Sequence, residues 1–442
     1  MVGSIGSSSS DALTPARPAA RGLSSASLTR LDPRLPTSPE EILRSILDPT
    51  LRGDDLYPLL HQLRTAAPIF KTENTAFQLA WVITRFEDDD TVVRAKTLSS
   101  DSRVLDIFAT GTAGTESEFF RMMKRLMKFL DPPEHARVRA LVSRAFTPRA
   151  VERLRPRIGE IVSELLAARR DAGRLDVIAD FAFPLPIIVI CEMLGVPVED
   201  VPLFFQWSED FARRGDVGAL TPERERRGEE ATRGLTDYFL RLIDERRRTP
   251  RGDLLSDLIR VEDERGRLGE LELVATGILL LQAGHETTAN LIGKAVLALL
   301  RHPDELARFR ADPGLDEAAC EEFLRYDTSV QITPKVATVD LPYHDRTIRA
   351  GETVATFRGA VNRDPARYAD PDRLDLSRRD GRHHSFGVGA YHCLGASLAR
   401  AEIQIAMRGL MDGLPAFELV TERPRYKPSL YLHGLESLEI GW

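Results

Sequence analysis

Cysteine is scarce in this chain of 442 residues, which contains only Cys191, Cys320 and Cys393. Three cysteines cannot build the disulfide framework of a small secreted domain, and an odd number suits a reducing compartment. A run of about 18 apolar residues is missing, and so is the compact apolar segment of a secretory signal. These absences predict a soluble, cytoplasmic protein that does not insert into a membrane.

An excess of positive charge is absent too, since the formal net charge is −7 and the pI is about 5.8. The chain as a whole is therefore not predicted to bind nucleic acid. Its hydrophobic content of 43% is sufficient for a large core. The N-terminus is rich in Ser, Ala and Arg, which predicts a disordered tail over 1–35 and a single domain over 36–442. An organellar transit peptide is the alternative for the tail.

Periodic apolar residues predict that most of the domain is helical. Helical spacing runs through 148–170, 229–248, 268–300 and 304–326. Strand patterns occur in 77–85 and 330–357, and a last strand pair is expected within 429–442. The predicted fold class is mainly α with small, non-parallel β-sheets (α+β).

Cys393 lies in the stretch SFGVGAYHCLGASLARAE, residues 385–402, between a glycine-rich loop and a helical pattern. Gly387, Gly389 and Gly395 can take positive φ and let the backbone approach a flat or bulky group closely. Apolar residues after Cys393 recur at helical spacing, so the cysteine is predicted at or just before a helix N-terminus. Free N–H groups and the helix dipole are expected to favour a thiolate there.

Three uses of Cys393 compete at this point. A structural cysteine in a tight turn is the simplest, because free cysteines are commonly small buried hydrophobes. A phosphatase-like nucleophile is disfavoured because Arg400 lies one residue too far along the chain and the intervening residues form a poor anion nest. A thiolate ligand to haem iron is the third use, and one sulfur without nearby Cys or His suits haem better than zinc or an iron–sulfur cluster.

The spacing Phe-Gly-x-Gly-x-Tyr-x-Cys-x-Gly, from Phe386 to Gly395, resembles the haem-thiolate signature of the cytochrome P-450 family. The resemblance extends from about Asp32 to the end of the chain. It implies the family's triangular prism, with haem b between a distal and a proximal helix and Cys393 as the axial iron ligand. The haem contacts implied in the loop are Phe386, Gly387, Tyr391, Cys393 and Gly395.

The stretch ILLLQAGHETTAN, residues 278–290, is an apolar helix with a weak middle. A glycine inside a helix costs about 1 kcal/mol relative to alanine, and threonine hydroxyls compete for backbone carbonyls. The resemblance makes this the distal helix, in which Ala283 and Gly284 leave room for O2 while Thr287 and Glu286 deliver protons as catalytic residues. The alternative is a kinked core helix with an exposed glutamate. Peroxide-using family members lack this acid–alcohol pair, which favours a reductase-fed monooxygenase.

Glu322 and Arg325 are three residues apart in a predicted helix. Alone, such a pair is a common surface ion pair that stabilises a helix by about 0.2–0.5 kcal/mol. The resemblance implies instead a buried structural network, which Arg373 of a later Pro-x-Arg segment joins and which fixes the cysteine loop.

The resemblance also implies contacts to the haem propionates. His135 and Arg139 share one face of a helix that follows two prolines, and His383 is given the same role. Two positions depart from the family. Tyr391 stands where His or Arg is usual, and Lys335 stands where an Arg is frequent, so that a bidentate fork is lost. These departures affect the propionate geometry and not the iron ligand.

A basic cluster on this acidic chain predicts a docking face for a ferredoxin-type electron donor, since the corresponding helix of the family lies on the cysteine side. An ordinary solvated face is the alternative. The cluster comprises Arg121, Lys124, Arg125, Lys128, Arg137, Arg144 and Arg149.

The implied function is a monomeric oxidoreductase that inserts one oxygen atom from O2 into a small, largely apolar molecule of secondary metabolism, by hydroxylation or epoxidation. A haem-binding sensor, or a haem enzyme for coupling or peroxygenase chemistry, is the alternative; a sensor has no need of Glu286 and Thr287. Substrate contacts are expected in 101–120, 201–222, 279–283, 329–335 and 431–435, with Leu279, Ala283, Val330 and Gln331 as the named residues.

Overall fold

The structure is a computed structural model that describes residues 38–48, 53–73, 79–101, 117–215, 221–263, 266–380, 382–421, 423–429 and 431–442. Contacts group Ser38–Trp442 as one unit. The predicted tail over 1–35 lies outside the described residues.

Helices dominate the described residues, as the apolar periodicity predicts. They are α1 (Pro39–Leu47), α2 (Leu56–Ala66), α3 (Phe86–Arg94), α4 (Glu118–Met123), α5 (Glu134–Ala145), α6 (Pro148–Glu152), α7 (Arg155–Ala167), α8 (Pro184–Leu194), α9 (Val201–Arg214), α10 (Pro222–Arg248), α11 (Leu254–Arg260), α12 (Glu270–Arg301), α13 (Pro303–Ala311), α14 (Asp316–Tyr326), α15 (Arg358–Val361) and α16 (Ala396–Gly413).

Two predicted helices are each a pair in the structure. The segment 304–326 divides into α13 and α14 because Pro313 lacks an N–H, and the Asp312 side chain accepts from the Gly314 N–H at 2.8 Å to form a turn. The segment 148–170 divides into α6 and α7 at Arg153 and Leu154, and a proline then occupies the first turn of α7.

The strands are short and form small sheets. They are β1 (Ile69–Lys71), β2 (Trp81–Ile83), β3 (Leu98–Ser99), β4 (Arg174–Asp176), β5 (Glu262–Asp263), β6 (Gly266–Arg267), β7 (Ile332–Ala337), β8 (Leu341–Tyr343), β9 (Arg346–Ile348), β10 (Thr353–Phe357), β11 (Glu418–Leu419) and β12 (Glu439–Gly441). The largest sheet has the order β1-β2-β10-β7-β3, with one parallel pair, β2 and β10. A second sheet has the order β11-β12-β4, and β5-β6 and β8-β9 are hairpins.

Helix α12 runs through the main core for 32 residues without a break at Gly284. Every residue from Leu273 to Leu281 is buried, and residues 288–299 are buried as well. Packing on both sides therefore overrides the weak local propensity of the central turn.

One described helical segment, Val177–Leu194, is long and apolar enough to cross a membrane by length and composition. It joins a π-helical turn, Val177–Ala182, to helix α8. Of this segment 61% is buried inside the protein, as expected for a core helix.

Candidate functional site

The loop before helix α16 holds Cys393 in a defined backbone geometry. The Cys393 N–H donates to the Phe386 carbonyl at 2.8 Å. The loop turns at Gly387 and Gly389, whose φ angles of 66° and 72° are left-handed and favour glycine. Because α16 begins at Ala396, the cysteine lies three residues before the helix.

Burial separates Cys393 from the other two cysteines. Cys191 and Cys320 are buried, whereas Cys393 is half-buried. Desolvation raises the pKa of Cys191 to about 12 and raises the pKa of Cys320 as well, so both are inert packing thiols. The described residues contain no group of three or more His, Cys, Asp or Glu arranged around a metal ion. Cys393 is therefore the accessible sulfur, and it suits a cofactor that needs one protein ligand.

The sequence-based expectation that the helix terminus favours a Cys393 thiolate is wrong for the protein alone. Burial raises the pKa of the Cys393 thiol, and the Gly395 N–H, Arg139 and Arg400 oppose this only in part. Desolvation of a charged sulfur outweighs the nearby dipoles and cations. A coordinating metal deprotonates a thiol outright, so a bound iron would supply the missing charge.

Helix α12 presents small residues and a hydroxyl at one accessible turn. Ala283 is exposed, although the nine residues from Leu273 to Leu281 are all buried. The Thr287 hydroxyl donates to the Ala283 carbonyl at 2.6 Å. A Cβ at Gly284 would lie 3.6 Å from the Ile190 side chain, an ordinary packing distance. The stretch singled out in the sequence is thus an accessible face of an unbroken helix.

Glu286 is not a freely exposed glutamate. Its Oε1 accepts from Lys427 Nζ at 2.9 Å, and both side chains are half-buried. The adjacent His285 is fully buried, and desolvation together with Lys427 lowers its pKa to about 3, so the imidazole is neutral. Lys427 lies 141 residues from Glu286 in the chain, and the sequence alone carries no signal for this pair.

Glu402 of α16 is a further buried acid, at a position that no sequence motif indicated. Desolvation raises its pKa to about 8, opposed in part by a hydrogen bond with Thr288. The neutral acid therefore joins α16 to α12 at the residue next to Thr287. The available signal was its place between Ala401 and Ile403, two apolar positions that are both buried.

Four of the predicted propionate contacts come together beside the cysteine loop. The His135 ring stacks on the Tyr391 ring at 4.2 Å between centroids. Lys335 Nζ lies 3.9 Å from the centroid of that tyrosine. Arg139 Nη2 donates to the His392 carbonyl at 2.7 Å, next to Cys393.

The electrostatics of this cluster fit an anionic partner. Burial lowers the pKa of His135 to about 4, with a further contribution from Arg139 and Lys335. Burial also lowers the pKa of Lys335 to about 8. A carboxylate placed among these groups would stabilise their charged forms. The donor set therefore fits the carboxylates of a haem.

Tyr391 departs from the predicted role of a direct propionate donor. Its hydroxyl donates to the Leu130 carbonyl and to Asp131 Oδ1, each at 2.9 Å. Burial and Asp131 raise the pKa of Tyr391 above its usual range, so it stays a neutral phenol. Its ring supports His135 and Lys335, while its hydroxyl is directed to Asp131.

His383 contacts residues outside the propionate cluster, contrary to the expectation. Its Nδ1 accepts from the Ser385 N–H at 3.2 Å, and its Nε2 lies 3.3 Å from a Glu321 carboxylate oxygen. Glu321 is also held by the Arg400 fork at 2.6 and 2.9 Å. His383 therefore connects the cysteine loop to α14.

The buried network exists, but its third member is Arg378 and not Arg373. Arg325 donates to both carboxylate oxygens of Glu322, at 2.7 and 2.8 Å, and both side chains are at most 2% exposed. Arg373 contributes only its carbonyl, which accepts from Arg325 at 3.3 Å, while the residue is exposed. Arg378 Nε lies 3.2 Å from Glu322 Oε2.

A short chain of contacts connects this network to the cysteine loop. Arg325 donates to the Asn362 carbonyl at 3.1 Å. The Asn362 side chain donates to Ser385 Oγ at 2.8 Å and accepts from the His384 N–H at 2.9 Å. Ser385 Oγ donates in turn to the Leu324 carbonyl at 2.6 Å. The network is thus placed to fix the start of the loop.

Of the predicted substrate contacts described next, Leu279 and Val330 remain candidates and Gln331 does not. Leu279 is buried in α12, and Val330 is half-buried next to β7. Gln331 is misassigned, because its amide donates to the Thr328 carbonyl at 2.8 Å and its other end lies against Gly359. Successive side chains of an extended segment point to opposite sides. Gln331 therefore points into the protein, whereas Val330 points the other way. Residues 102–116 and 216–220 of the predicted pocket lie outside the described residues.

The basic face is only partly a free positive surface. Arg137 is neutralised locally, since it pairs with Glu134 at 3.1 Å and with Glu272. Arg121 and Arg149 are exposed, and Lys124 is half-buried. Helix α6, which carries Arg149, packs against α16, so this part of the face lies on the cysteine side, whereas α4, which carries Arg121, packs against α10.

Known proteins resemble this chain over most of its length. The cytochrome P-450 family model matches residues 204–312 and 315–428. The 6-deoxyerythronolide B hydroxylase of Saccharopolyspora erythraea is 36% identical over 403 residues, which cover 89% of this chain and 98% of the hydroxylase. Pentalenic acid synthase of Streptomyces avermitilis is 37% identical over 383 residues, which cover 86% and 92%.

Solved structures show the same fold. P-450 BioI, in a complex with an acyl carrier protein ligated by hexadec-9Z-enoic acid, has a TM-score of 0.81 at 35% identity, over 87% of this chain and 97% of that one. PksS of Bacillus subtilis has a TM-score of 0.80 at 34% identity, over 87% and 96%. The chain therefore belongs to the cytochrome P-450 family, as a monooxygenase that carries haem b on a cysteine thiolate and uses O2, a substrate and a redox partner.

Proposed function

We propose that Cys393 is the iron ligand and that the protein inserts one oxygen atom into a small, largely apolar molecule of secondary metabolism by hydroxylation or epoxidation. The observation that carries this proposal is the setting of Cys393. It is the accessible cysteine, in a loop turned by left-handed glycines, three residues before helix α16, which packs on α12 and contacts Thr288 through Glu402.

Haem held by Cys393 would supply the activation of O2, to which a thiolate contributes electron density that favours O–O cleavage. His135, Arg139 and Lys335 would hold its carboxylates by charge-assisted hydrogen bonds. Tyr391 would orient His135 by stacking, since its hydroxyl is directed to Asp131.

Glu286 and Thr287 are proposed to move protons from solvent to the reacting oxygen. The Thr287 hydroxyl donates its hydrogen to the Ala283 carbonyl. The lone pairs of the hydroxyl oxygen therefore remain able to accept a hydrogen bond from a proton donor. Glu286 lies next to it at a partly exposed position, where it can take a proton from water and pass it inward.

The substrate class is proposed from the pocket and the relatives together. Leu279 and Ala283 offer an apolar wall on α12, and Val330 offers another before β7. The relatives include a 6-deoxyerythronolide B hydroxylase and a pentalenic acid synthase. A polyketide or terpenoid of low polarity is the substrate class that suits such walls.

A ferredoxin is proposed as the electron donor, docking on the basic face in the cytoplasm while the protein acts as a monomer. The exposed Arg149, on the helix that packs against α16, and the exposed Arg121 support this choice, because ferredoxins are acidic and complementary charge speeds association.

The test is the difference spectrum of the dithionite-reduced, haem-loaded protein with carbon monoxide. A Soret band at the thiolate position is expected for the wild type and for Cys191→Ala, the control that removes a buried cysteine. The band should be lost in Cys393→Ala. A wild-type preparation that folds with haem but lacks the band, or a Cys393→Ala variant that retains it, would overturn the proposal.

A further inference from the structure

The segment from Tyr426 to Leu435 forms a hairpin near the C-terminus, called here the C-terminal hairpin; residue 430 lies outside the described part. Its ends are joined by an antiparallel bridge between Tyr426 and Leu435. Next to that bridge, the Lys427 N–H donates to the Gly434 carbonyl at 2.9 Å. Lys427 therefore lies at the base of the hairpin, where its backbone is fixed.

The outer part of this hairpin pairs with a segment proposed to contact substrate. The Gln331 N–H donates to the Tyr431 carbonyl at 3.1 Å, and Val330 bridges Leu432. The His433 N–H donates to the Ser329 carbonyl at 2.8 Å. The hairpin and the pocket segment that carries Val330 are thus joined by backbone hydrogen bonds, so displacement of one would be transmitted to the other.

The base of the same hairpin contacts helix α12 at two places. Lys427 Nζ lies 2.9 Å from Glu286 Oε1, with side-chain exposures of 23% and 19%. A Cβ at Gly434 would lie 2.1 Å from Asn290 Oδ1, so this glycine allows close packing on the helix. Glu286 and Asn290 are four residues apart and share one face of α12.

Glu286 has few other restraints. Among the described residues, Lys427 is the ion-pair partner of its carboxylate. A glutamate side chain has three rotatable bonds, and an ion pair with a fixed lysine selects one arrangement of them. Lys427 also lies 5.6 Å from the centroid of the Phe183 ring, which limits its own freedom.

We infer that Lys427 is a positioning residue for Glu286, and that through the C-terminal hairpin it couples the position of this acid to the substrate-contacting segment. The inference rests on the proposed function, because it deepens the proton-transfer role given there to Glu286. A proton taken from water by Glu286 leaves toward Thr287, and Lys427 returns the ionised carboxylate to its place after each transfer.

The ion pair is tested first without any reference to catalysis. Urea unfolding of haem-loaded wild type, Lys427→Gln, Glu286→Gln and the double variant forms a double-mutant cycle. Coupling of about two- to five-fold in the unfolding equilibrium constant is expected for a pair with this exposure. Arg425→Gln is the matched control: it removes a charge beside the hairpin from a side chain that is 80% exposed and pairs with Glu436. Additive effects of the Lys427 and Glu286 substitutions would overturn the inference.

The second measurement follows proton delivery and needs no substrate. Pre-reduced protein is mixed with O2 and reduced ferredoxin, and the return of the oxidised Soret spectrum is timed in H2O and in D2O. Lys427→Gln should slow this step about ten-fold and enlarge its solvent isotope effect, less than the roughly 100-fold or greater loss expected on removal of Glu286. Lys427→Arg should restore most of the rate, and Arg425→Gln should leave it unchanged.

The outcomes separate the inference from the proposed function. If Glu286→Gln is slow while Lys427→Gln matches the wild type, the inference is overturned and the proposed function stands. If neither variant is slow, the proton-transfer role proposed for Glu286 is contradicted, and the inference is overturned as well. If the carbon monoxide spectrum lacks the thiolate band, the proposed function is overturned, and so is the inference that rests on it.

Discussion

At the scale of single residues, the most informative positions are those whose chemistry depends on one side chain. Thr287 and Cys393 could be proposed from local sequence because each lies within a short pattern. Arg378 could not be separated from Arg373 in this way, since the choice depends on which side chain turns inward after Pro371. The contact of Lys427 with Glu286 could not be predicted, because the two residues are far apart in the chain.

Replacing Thr287 with alanine should uncouple NADPH oxidation from product formation. The hydroxyl that is proposed to pass protons is lost, while the packing of α12 is kept. NADPH oxidation should continue, hydrogen peroxide should rise, and the share of electrons recovered in oxygenated product should fall about ten-fold or more. Thr276→Ala is the matched control, because Thr276 makes the same hydroxyl-to-carbonyl bond earlier in the same helix, to Glu272 at 2.7 Å. Equal coupling in both variants would contradict the assignment.

The two candidate arginines of the buried network should differ in their effect on stability. Arg378→Ala removes a charge-assisted contact to the buried Glu322 and should lower the free energy of unfolding by about 1.5–3 kcal/mol. Arg373→Ala removes an exposed side chain and should change it by less than about 0.5 kcal/mol. Urea unfolding of the two variants side by side measures the difference. A larger loss for Arg373→Ala would restore the assignment made from sequence.

At the scale of elements, the sequence predicts long, periodic helices well and their interruptions less well. The expectation over 268–300 corresponds to α12 at 270–301, because a strong apolar period leaves few alternatives. The segments 148–170 and 304–326 each divide in two, since short turns at residues 153–154 and 312–315 do not disturb the apolar period. The cysteine loop was predictable because its glycines mark the turn.

The left-handed turn of the cysteine loop should not tolerate a side chain. In Gly387→Ala the new Cβ has space, with the Tyr391 carbonyl at 3.6 Å, but the φ of 66° costs about 1–2 kcal/mol for a non-glycine residue. Haem retention and the melting temperature should both fall. Gly159→Ala is the control, because this helical glycine has no neighbour within 4 Å and should gain about 0.5–1 kcal/mol. Equal shifts in the two variants would count against a strained turn.

The contact between α16 and α12 should make stability depend on pH. Glu402 has a folded pKa of about 8, above its unfolded value, so its contribution is fully present below about pH 4.5 and declines as the pH rises toward 8. Within that window wild type should lose about 1.4 kcal/mol per pH unit relative to Glu402→Gln, whose amide cannot ionise. Urea unfolding of both proteins at pH 5 and pH 8 tests this. A difference that stays constant with pH would show that Glu402 is ionised in the folded protein.

At the scale of the whole molecule, charge is distributed unevenly on an acidic protein. The net charge of −7 predicts repulsion from an acidic partner, yet the exposed Arg149 lies on the helix that packs against α16, on the cysteine side. The sequence located these residues, but it could not show that Arg137 is already neutralised by Glu134 and Glu272. That fact depends on α5 meeting the start of α12, a contact between distant parts of the chain.

Association with an acidic ferredoxin should therefore depend on some of the basic residues and not on others. Lys124→Gln combined with Arg149→Gln should slow reduction about three-fold or more at low salt and should flatten its salt dependence. Arg137→Gln should have a smaller effect, because its charge is paired. Stopped-flow reduction across a range of ionic strengths makes the comparison. If Arg137→Gln has the larger effect, docking uses the end of α5 next to α12.

The raised pKa of the Cys393 thiol has a consequence for how the protein is assembled. The newly folded apoprotein holds a protonated sulfur, so taking up the prosthetic group must expel a proton into solvent. Maturation should therefore proceed further in mildly alkaline than in acidic medium, with about one proton released for each molecule of cofactor captured. Acid would have the opposite effect, because it would protonate the sulfur again and weaken the binding of iron.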